Sequence, residues 1–579
     1  MRDLVLAMSL FLYRQFTLQT TIYLKVGFMA KLSIYFHTLK YLKFTQVYHR
    51  ILKKLVHPKI HHVEGIQALT NENWVRQELC SQKFLNESDV LFLNHQGSVD
   101  SPNDWNNDKE EKLWLYNLHY FDDLTSFDSH SRKELQLFWI NKWVDENPAN
   151  DAGNGWESYT LSLRIVNWTK AFLSGLDTSE KMLNSLAQQA DFLSQDLEKH
   201  LLGNHYFVNL KALMFAGCYF EGEEADKWLA IALKGYESEL KEQVLSDGGS
   251  FELTPMYHAI MLTDLLDLIN LFESYPSRVP ADVIELTKQT IVKMFGWLHI
   301  MSHGDDKVSF FNDSTFGIAP ENATLREYAT KLGFAVNEQV TPTDALIVHN
   351  MQNTGYVSVK TAEMNLIADL APVGPSYIPG HAHADSLSFE LSLGQSRVFV
   401  NSGTSLYGMS SERLRQRGTS AHNTVEINKQ NSSQVWSGFR VAKRADIGNR
   451  SVGKVTTGKN VQFSAAHNGY KKQGMKCIHH RTWNVSIFTC EIKDVIQGDF
   501  DSAFGYLHLH PDIEVVSNSP TDCTLKSTNH EIKVEVSGAS LTVEDSTWHP
   551  EFGVVISNKK LRLEYKKSQV TYRINWKAL

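Results

Sequence analysis

Between about residues 110 and 335, apolar positions recur every three or four residues, the spacing of one helix face. Ser131–Asn147, Ser158–Leu173, Ser179–Leu202, Tyr206–Phe220, Glu223–Val244, Pro255–Tyr275 and Ala281–Met301 therefore read as helices. Their starts carry capping signals: Ser158, Ser179 followed by Glu180, and Thr254 before Pro255. Long helices in succession with short breaks predict an antiparallel array or toroid. After about residue 345 the texture becomes short and β-rich. Tyr356–Lys360, Asn365–Leu370, Ser386–Leu393, Arg397–Asn401, Thr424–Asn428, Asn460–Ala466, Val485–Asp494, Glu531–Val536 and Val570–Asn575 read as strands between Gly, Asn, Asp and Ser clusters. Ser386 to Gly394 alternates and turns at Gly394-Gln395-Ser396, as a hairpin does. The expected organisation is a segment 1–60, a helical domain 61–343, and an antiparallel β-sandwich 344–579, with the boundary near Pro342–Asp344.

Composition sharpens this only in places. The chain has 579 residues, enough for two or three domains, and 42% hydrophobic with 21% charged residues is ordinary for a globular protein. Its longest early apolar stretch, Leu4–Tyr13, ends at Arg14 and is too short to span a bilayer. It also fits a secretory leader weakly, with no small-residue cleavage site after it and Met29 as an alternative start. Five cysteines with no CxxC pair give neither a zinc site nor a disulfide framework. The net charge of −8 argues against nucleic acid. It hides an asymmetry: residues 1–60 hold ten Lys or Arg against Asp3 alone, with ten Phe or Tyr. That segment reads as a helix packed on the body with a solvated basic face, or as a contact with a membrane surface or anionic glycan.

Three stretches carry candidate chemistry. Gly203-Asn204-His205 follows one helix and precedes another; it is either a capping turn or an amide beside an imidazole that can bind a carboxylate. Asp247-Gly248-Gly249 leads to Glu252, Pro255, Tyr257 and His258, placing Tyr257 in a first helical turn where the dipole would favour a lowered pKa. In Gly380-His381-Ala382-His383-Ala384-Asp385 an extended backbone would put His381, His383 and Asp385 on one face. A metal there would need further ligands, with His422 and Asn401 as candidates. Seven of the 13 Trp fall between residues 74 and 168, as core or as sugar-stacking platforms. His508, His510, His479 and His480 read as packed or solvated. There is no P-loop, dinucleotide fingerprint or GxSxG elbow, so nucleotide chemistry and serine hydrolysis have no support.

The order Asn204-His205, Tyr257, His381-Ala382-His383-Ala384-Asp385, then Asn401-Ser402-Gly403-Thr404 with Tyr407, then His422-Asn423-Thr424-Val425, resembles the heparinase II/III and alginate lyase group of polysaccharide lyases. The resemblance covers about residues 110–500 and is sharpest from 380 to 445. It implies an (α/α) toroid followed by an antiparallel β-sandwich, and β-elimination on an anionic, uronate-containing polysaccharide. By the same resemblance Asn204 and His205 would neutralise the uronate carboxylate, Tyr257 and His381 would move protons, and Tyr407 would touch substrate. His383, Asn401 and His422 would hold one divalent metal, zinc by family pattern. Asn401 stands where the family has Asp, and a neutral carbonyl oxygen is a weak zinc ligand. The basic N-terminus resembles members found among bacterial surface-polysaccharide genes. The substrate class that the resemblance implies suggests the cell envelope or periplasm, with the cytoplasm as the alternative. Two rivals share these residues: a uronate C5-epimerase, and a non-catalytic glycan-binding or assembly protein. A glycoside hydrolase would have to draw its acids from Glu252 and Asp247.

Overall fold

The structure is a computed structural model describing residues 23–579 except 62, 64, 72, 150–152, 337–344 and 456–459. The Leu4–Tyr13 stretch and the expected boundary at Pro342–Asp344 lie outside those residues. Two helices come first, α1 (Tyr23–Leu39) and α2 (Phe44–Leu55). A hairpin of β1 (Asp89–Phe92) and β2 (His95–Ser98), which sequence periodicity did not announce, precedes the helical array. That array runs α3 (Lys112–Tyr120), α4 (Lys133–Glu146), α5 (Ser158–Leu173), α6 (Glu180–Gln195), α7 (Gly203–Tyr219), α8 (Glu223–Gln243), α9 (Pro255–Ser274), α10 (Ala281–Ile300) and α11 (Asn322–Lys331).

One helix is shorter than its apolar spacing predicts. The segment expected to be helical to Leu202 stops at Gln195, because Ser158 Oγ donates to Asp196 O and Asn209 Oδ1 accepts from Glu198 N. These tertiary bonds replace helical ones. The chain then turns through Leu202 and Gly203, both at positive φ (66° and 58°), and Gly203–His205 becomes the first turn of α7 rather than a loop.

The array's interior is packed with aromatic rings. Trp105, Trp139, Trp143 and Trp168 are wholly buried, so these tryptophans serve the core and are not sugar platforms. Arg164 lies over Trp143 at 3.8 Å and gives its N–H groups to Gln189 and to the Gly155 and His119 carbonyls. Lys170 and Lys211 are buried against Asp264 and Asp267, joining α5, α7 and α9.

After residue 345 all paired strands described are antiparallel. The first sheet takes β3 (Ile347–Asn350), β4 (Tyr356–Lys360), β5 (Met364–Asp369), β6 (Phe389–Leu393) and β7 (Ser396–Phe399) in chain order. An eight-stranded sheet, a four-stranded sheet and a two-stranded ribbon of Val435–Trp436 with Arg440–Val441 make up the rest of the described β region. The single strand expected at Val485–Asp494 is two, Ile478–Ser486 and Thr489–Gln497, paired as a hairpin. No Gly or Pro marks the turn at Ile487-Phe488, so the alternation runs on through it. Arg481 and His479 converge on the buried Asp494, and His508 is buried too: these side chains are packed, not solvated.

Strands β4, β5 and β6 are buried on both faces. One face joins the sandwich core through Val357, Val359, Leu366 and Phe389. Tyr356 and Ile367 on the other pack with Leu253, Trp297, Met301 and Phe311 of the helical domain. Polar bonds pin the seam. His303 reaches Glu390 at 2.9 Å and Ser392 at 3.0 Å, Arg397 pairs with Asp305 at 2.7 Å, and Tyr356 donates to Leu253 O at 2.7 Å. Asp247 accepts from Asn353 N, Thr354 N and Thr354 Oγ1; it braces this seam and is not a catalytic acid.

Helices α1 and α2 cross the same seam. Lys43 pairs with Glu242 and lies 3.9 Å over the Tyr377 ring, Gln46 donates to Leu201 O, and Lys53 pairs with Asp196. On the β side Thr38 accepts from Trp436 Nε1 and Arg444 stacks on Tyr41 at 4.1 Å. The described part of the basic segment thus packs on the body, with Lys43 and Lys53 held in ion pairs while Lys31, Lys40, Lys54 and Lys59 keep an exposed basic face. Among the described residues no helix is long and apolar enough to cross a membrane.

Candidate active site

The site opens where the N-termini of α7 and α9 meet the loop 380–386. Thr254 caps α9 by accepting from Tyr257 N at 3.1 Å, with Pro255 in the first turn. That fixes the Tyr257 ring against the His381 imidazole, 4.0 Å between centroids at 32°. The Tyr257 hydroxyl lies 3.1 Å from that of Tyr407, which Arg413 covers at 4.9 Å. Burial, reinforced by the neighbouring Tyr407 and Tyr159, holds the Tyr257 phenol well above its ordinary pKa. This corrects the expectation of a lowered value: the helix dipole is outweighed by desolvation, so the phenol is kept protonated.

The group that organises the loop was not singled out from sequence. Asp313, wholly buried in Phe310-Phe311-Asn312-Asp313-Ser314, accepts from His381 Nδ1 at 2.9 Å and His383 Nε2 at 2.8 Å. Arg413 clamps the same carboxylate with two bonds of 2.5 and 2.6 Å. Burial alone would raise the Asp313 pKa; Arg413 and the imidazoles overcome this and hold it well below the carboxylate range. The signal for Asp313 was a run of four polar residues, Asn312 to Thr315, inserted between Phe310-Phe311 and the next helix, too common a pattern to single out.

Residues 380–388 are turns, not the extended strand that would align three side chains; regular pairing begins at Phe389. His381 and His383 still converge because both reach Asp313. Asp385 does not join them: its Oδ2 accepts from Asn312 N at 3.3 Å. Since Nδ1 of His381 is held by a carboxylate, its proton sits there and Nε2 presents a lone pair.

Asn204 and His205 sit in the first turn of α7 beside this pair. Asn204 Nδ2 donates to Tyr159 OH at 3.3 Å, and His205 stacks on the Tyr159 ring at 4.5 Å. His205 Nδ1 bonds Glu198 at 3.1 Å. Burial would lower the His205 pKa, but the Glu198 and Glu252 carboxylates outweigh it and raise the value, favouring the cation. Glu252, 4% exposed, points Oε2 towards His381 Nε2 at 4.0 Å. The structure therefore brings Asn204, His205, Tyr257, His381 and Tyr407 together.

His383 and His422 face each other below. His422 Nδ1 donates to Gly418 O at 2.7 Å and His383 Nε2 donates to Asp313, so His422 Nε2 and His383 Nδ1 meet as lone pairs 3.1 Å apart. Burial lowers both pKa values, that of His383 to about 3, which disfavours a shared proton. Two opposed lone pairs, each oriented from its far nitrogen, fit a bound cation. Asn401 is occupied differently: Nδ2 donates to Phe310 O at 2.9 Å and Oδ1 accepts from Asn423 N at 3.1 Å. Among the described residues no group of three His, Cys, Asp or Glu is placed to hold a metal.

A model of the heparinase II/III N-terminus matches residues 36–340, and one of the heparinase II/III-like C-terminal region matches 344–577. Heparin-sulfate lyase of Pedobacter heparinus is 25% identical over 47% of this chain and 42% of its own length. Heparin-sulfate lyase of Bacteroides thetaiotaomicron is 26% identical over 51% of this chain and 48% of its own. The chain thus spans about half the length of the curated relatives it matches. Among solved structures, heparinase III superposes with a TM-score of 0.65 at 17% identity, over 82% of this chain and 79% of that one. A heparan sulfate lyase mutant from Pedobacter heparinus gives 0.60 at 16%, over 92% and 88%. These likenesses establish the fold, an (α/α) toroid followed by an antiparallel β-sandwich.

The depressed Asp313 pKa sets a pH signature. Its contribution to stability is fully present above about pH 5 and is lost as pH falls through the unfolded value near 3.9 towards the lower folded one. Asp313→Asn should cost about 3–5 kcal/mol at pH 7 by leaving Arg413 buried and unpaired. The gap from the parent protein should narrow by roughly 1 kcal/mol by pH 3. Urea unfolding at both pH values reads this; an unchanged gap would count against a strongly depressed Asp313.

Proposed function

Because the chain belongs to the heparinase II/III family, with both family regions present, we propose that it is a polysaccharide lyase that cleaves a uronate-containing anionic glycan by β-elimination. The observation that carries this is the Tyr257–His381 contact, 4.0 Å between rings, beside the Asn204–His205 turn. The Asn204 amide and the His205 cation neutralise the uronate carboxylate, which stabilises the charge that develops as C5 loses its proton. His381 Nε2, bare because Asp313 holds Nδ1–H, takes that proton. The C4–O4 bond breaks as the C4–C5 double bond forms, and the protonated Tyr257 phenol supplies the proton to O4. The raised Tyr257 pKa supports its role as the acid. Tyr407, bonded to Tyr257, orients the phenol and lines the subsite. Water is not a reactant, so a catalytic carboxyl pair is unnecessary.

A cation held by His383 and His422 is part of the same proposal, with zinc the best match to imidazole ligands. When bound it would offset the two facing lone pairs. His383 and His422 then tie the loop carrying His381 to the segment 418–422. Their role is structural.

The exposed face of α2 supports a second contact. Phe44, Tyr48, Ile51 and Leu55 are exposed at helical spacing, 76% for Phe44 and 72% for Leu55, on a segment rich in Lys and Arg. Such a stripe suits the surface of an anionic membrane, with the apolar side chains inserted among the headgroups.

Three outcomes test these readings. Tyr257→Phe should lower turnover at least 100-fold, read as ultraviolet absorbance of the unsaturated product from a panel of uronate polysaccharides; full retained rate removes Tyr257 from the reaction. Elemental analysis of the purified protein should find close to one transition metal per chain, falling several-fold in His383→Ala; equal metal in both rejects the imidazole site. The protein should co-sediment with phosphatidylserine vesicles but not with phosphatidylcholine vesicles, and a Phe44→Ser, Leu55→Ser double variant should stay in solution; indifference to the vesicles sinks the membrane contact.

A further inference from the structure

The reaction described leaves one buried charge in the cleft unused. Glu252 Oε2 is buried and has no hydrogen-bond partner. His381 Nε2 stands at 4.0 Å from it, beyond hydrogen-bond reach. The other end of the carboxyl lies against the start of α7, where a Cβ on Gly203 would come within 3.2 Å of Oε1. The group is also an electrostatic neighbour of His205, Tyr159 and Tyr407. Glu252 therefore stands amid the five residues of the site, facing the side of His381 that the reaction uses.

Leaving a buried carboxylate oxygen unsatisfied is costly, and natural proteins rarely do so without a use. An acidic group inside a cleft for an acidic polymer also repels most of that polymer's substituents. What it attracts is a hydrogen-bond donor. On a uronate-containing glycan the donors are ring hydroxyls and acetamide N–H groups. Sulfate esters and carboxylates have none.

We propose that Glu252 is a specificity-determining residue: its Oε2 accepts a hydrogen bond from a free hydroxyl or acetamide N–H of the sugar beside the reacting uronate, and it excludes chains sulfated at that position. The inference rests on the lyase reading for the substrate class and goes beyond it by fixing the sulfation pattern. Replacing a hydroxyl by a sulfate removes the donor and sets two negative charges against each other where little solvent screens them. A site built to bond a hydroxyl discriminates strongly against an analogue that lacks it, because the site's own polar group is then left unpaired.

The test separates binding from chemistry. In a Tyr257→Phe background, calorimetry measures Kd for tetrasaccharides of glucuronate with N-acetylglucosamine and with N-acetylgalactosamine, each unsulfated and sulfated on the hexosamine. The unsulfated member of at least one pair should bind tenfold or more tightly than its sulfated partner, a difference of about 1.4 kcal/mol. Adding Glu252→Gln should shrink that ratio below about threefold, chiefly through gained affinity for the sulfated chain. Glu252→Asp, which keeps the charge and shortens the reach, should preserve the exclusion of sulfate while weakening the unsulfated chain; it also stands in if the Gln variant does not fold. Equal binding of both members, a ratio that survives Glu252→Gln, or no binding of any of the four overturns the proposal. Product formation by the parent enzyme is scored separately. Selectivity without unsaturated product retires the lyase reading and keeps Glu252; product without selectivity does the reverse.

Discussion

One buried carboxylate sets the geometry of everything at the cleft. Asp313 is a wholly buried carboxylate held well below the usual carboxylate range, and that is tolerable only because Arg413 meets it with two parallel bonds and two imidazoles meet it from the sides. Each partner is oriented by the arrangement. His381 turns its bare nitrogen to the cleft, and His383 turns its own towards His422. Arg413 is drawn under Tyr407, which in turn holds Tyr257. A single ion-pair cluster thus fixes a tautomer, a phenol and a pair of facing imidazoles together.

The second constraint is the five-stranded sheet, whose three inner strands have no solvent face. Its inner strands bury one surface in the sandwich and the other on the toroid, which is why Tyr356–Lys360 and Met364–Asp369 are buried at every position. Several polar groups along the seam pair across it, His303 with Glu390 and Arg397 with Asp305 among them. Such a seam is a continuous core rather than a contact between two finished surfaces. It lets a loop from the β side and helix starts from the α side hold positions within a few ångströms of each other.

Much of this was legible in the chain. Ser158–Leu173 and Tyr356–Lys360 stand where periodicity put them, although Ser158 is not the cap it was read as: Glu157 takes that place without a side-chain bond, and Ser158 Oγ bonds Asp196 instead. The hairpin at Gly394 also forms, because Gly394 takes a positive φ of 55° there. Errors came where local chemistry contradicts periodicity. The polar bonds at Asp196 and Glu198 end a helix whose apolar spacing continues, and the turn at Ile487-Phe488 has no turn residue to declare it. At the site the motif residues were visible, yet their charge states were not. Tyr257 looked activated by a helix terminus until its burial was known, and the histidines looked aligned by a strand when a distant Asp313 aligns them. Burial and long-range pairing are tertiary quantities, and no window of sequence contains them.

Asp313 comes from the stretch between two toroid helices, while Arg413, His381 and His383 come from the sandwich. Neither half of the chain therefore owns a site. The family's two regions look like separable modules in sequence, but the electrostatic knot between them makes them one inheritance unit. A lineage cannot trade its toroid for another's without also carrying the aspartate, and cannot trade its sandwich without carrying the arginine. Drift on one side of the seam has to be answered on the other, so variety in this architecture should accumulate at the cleft rim and in the outer strands while the knot stays whole.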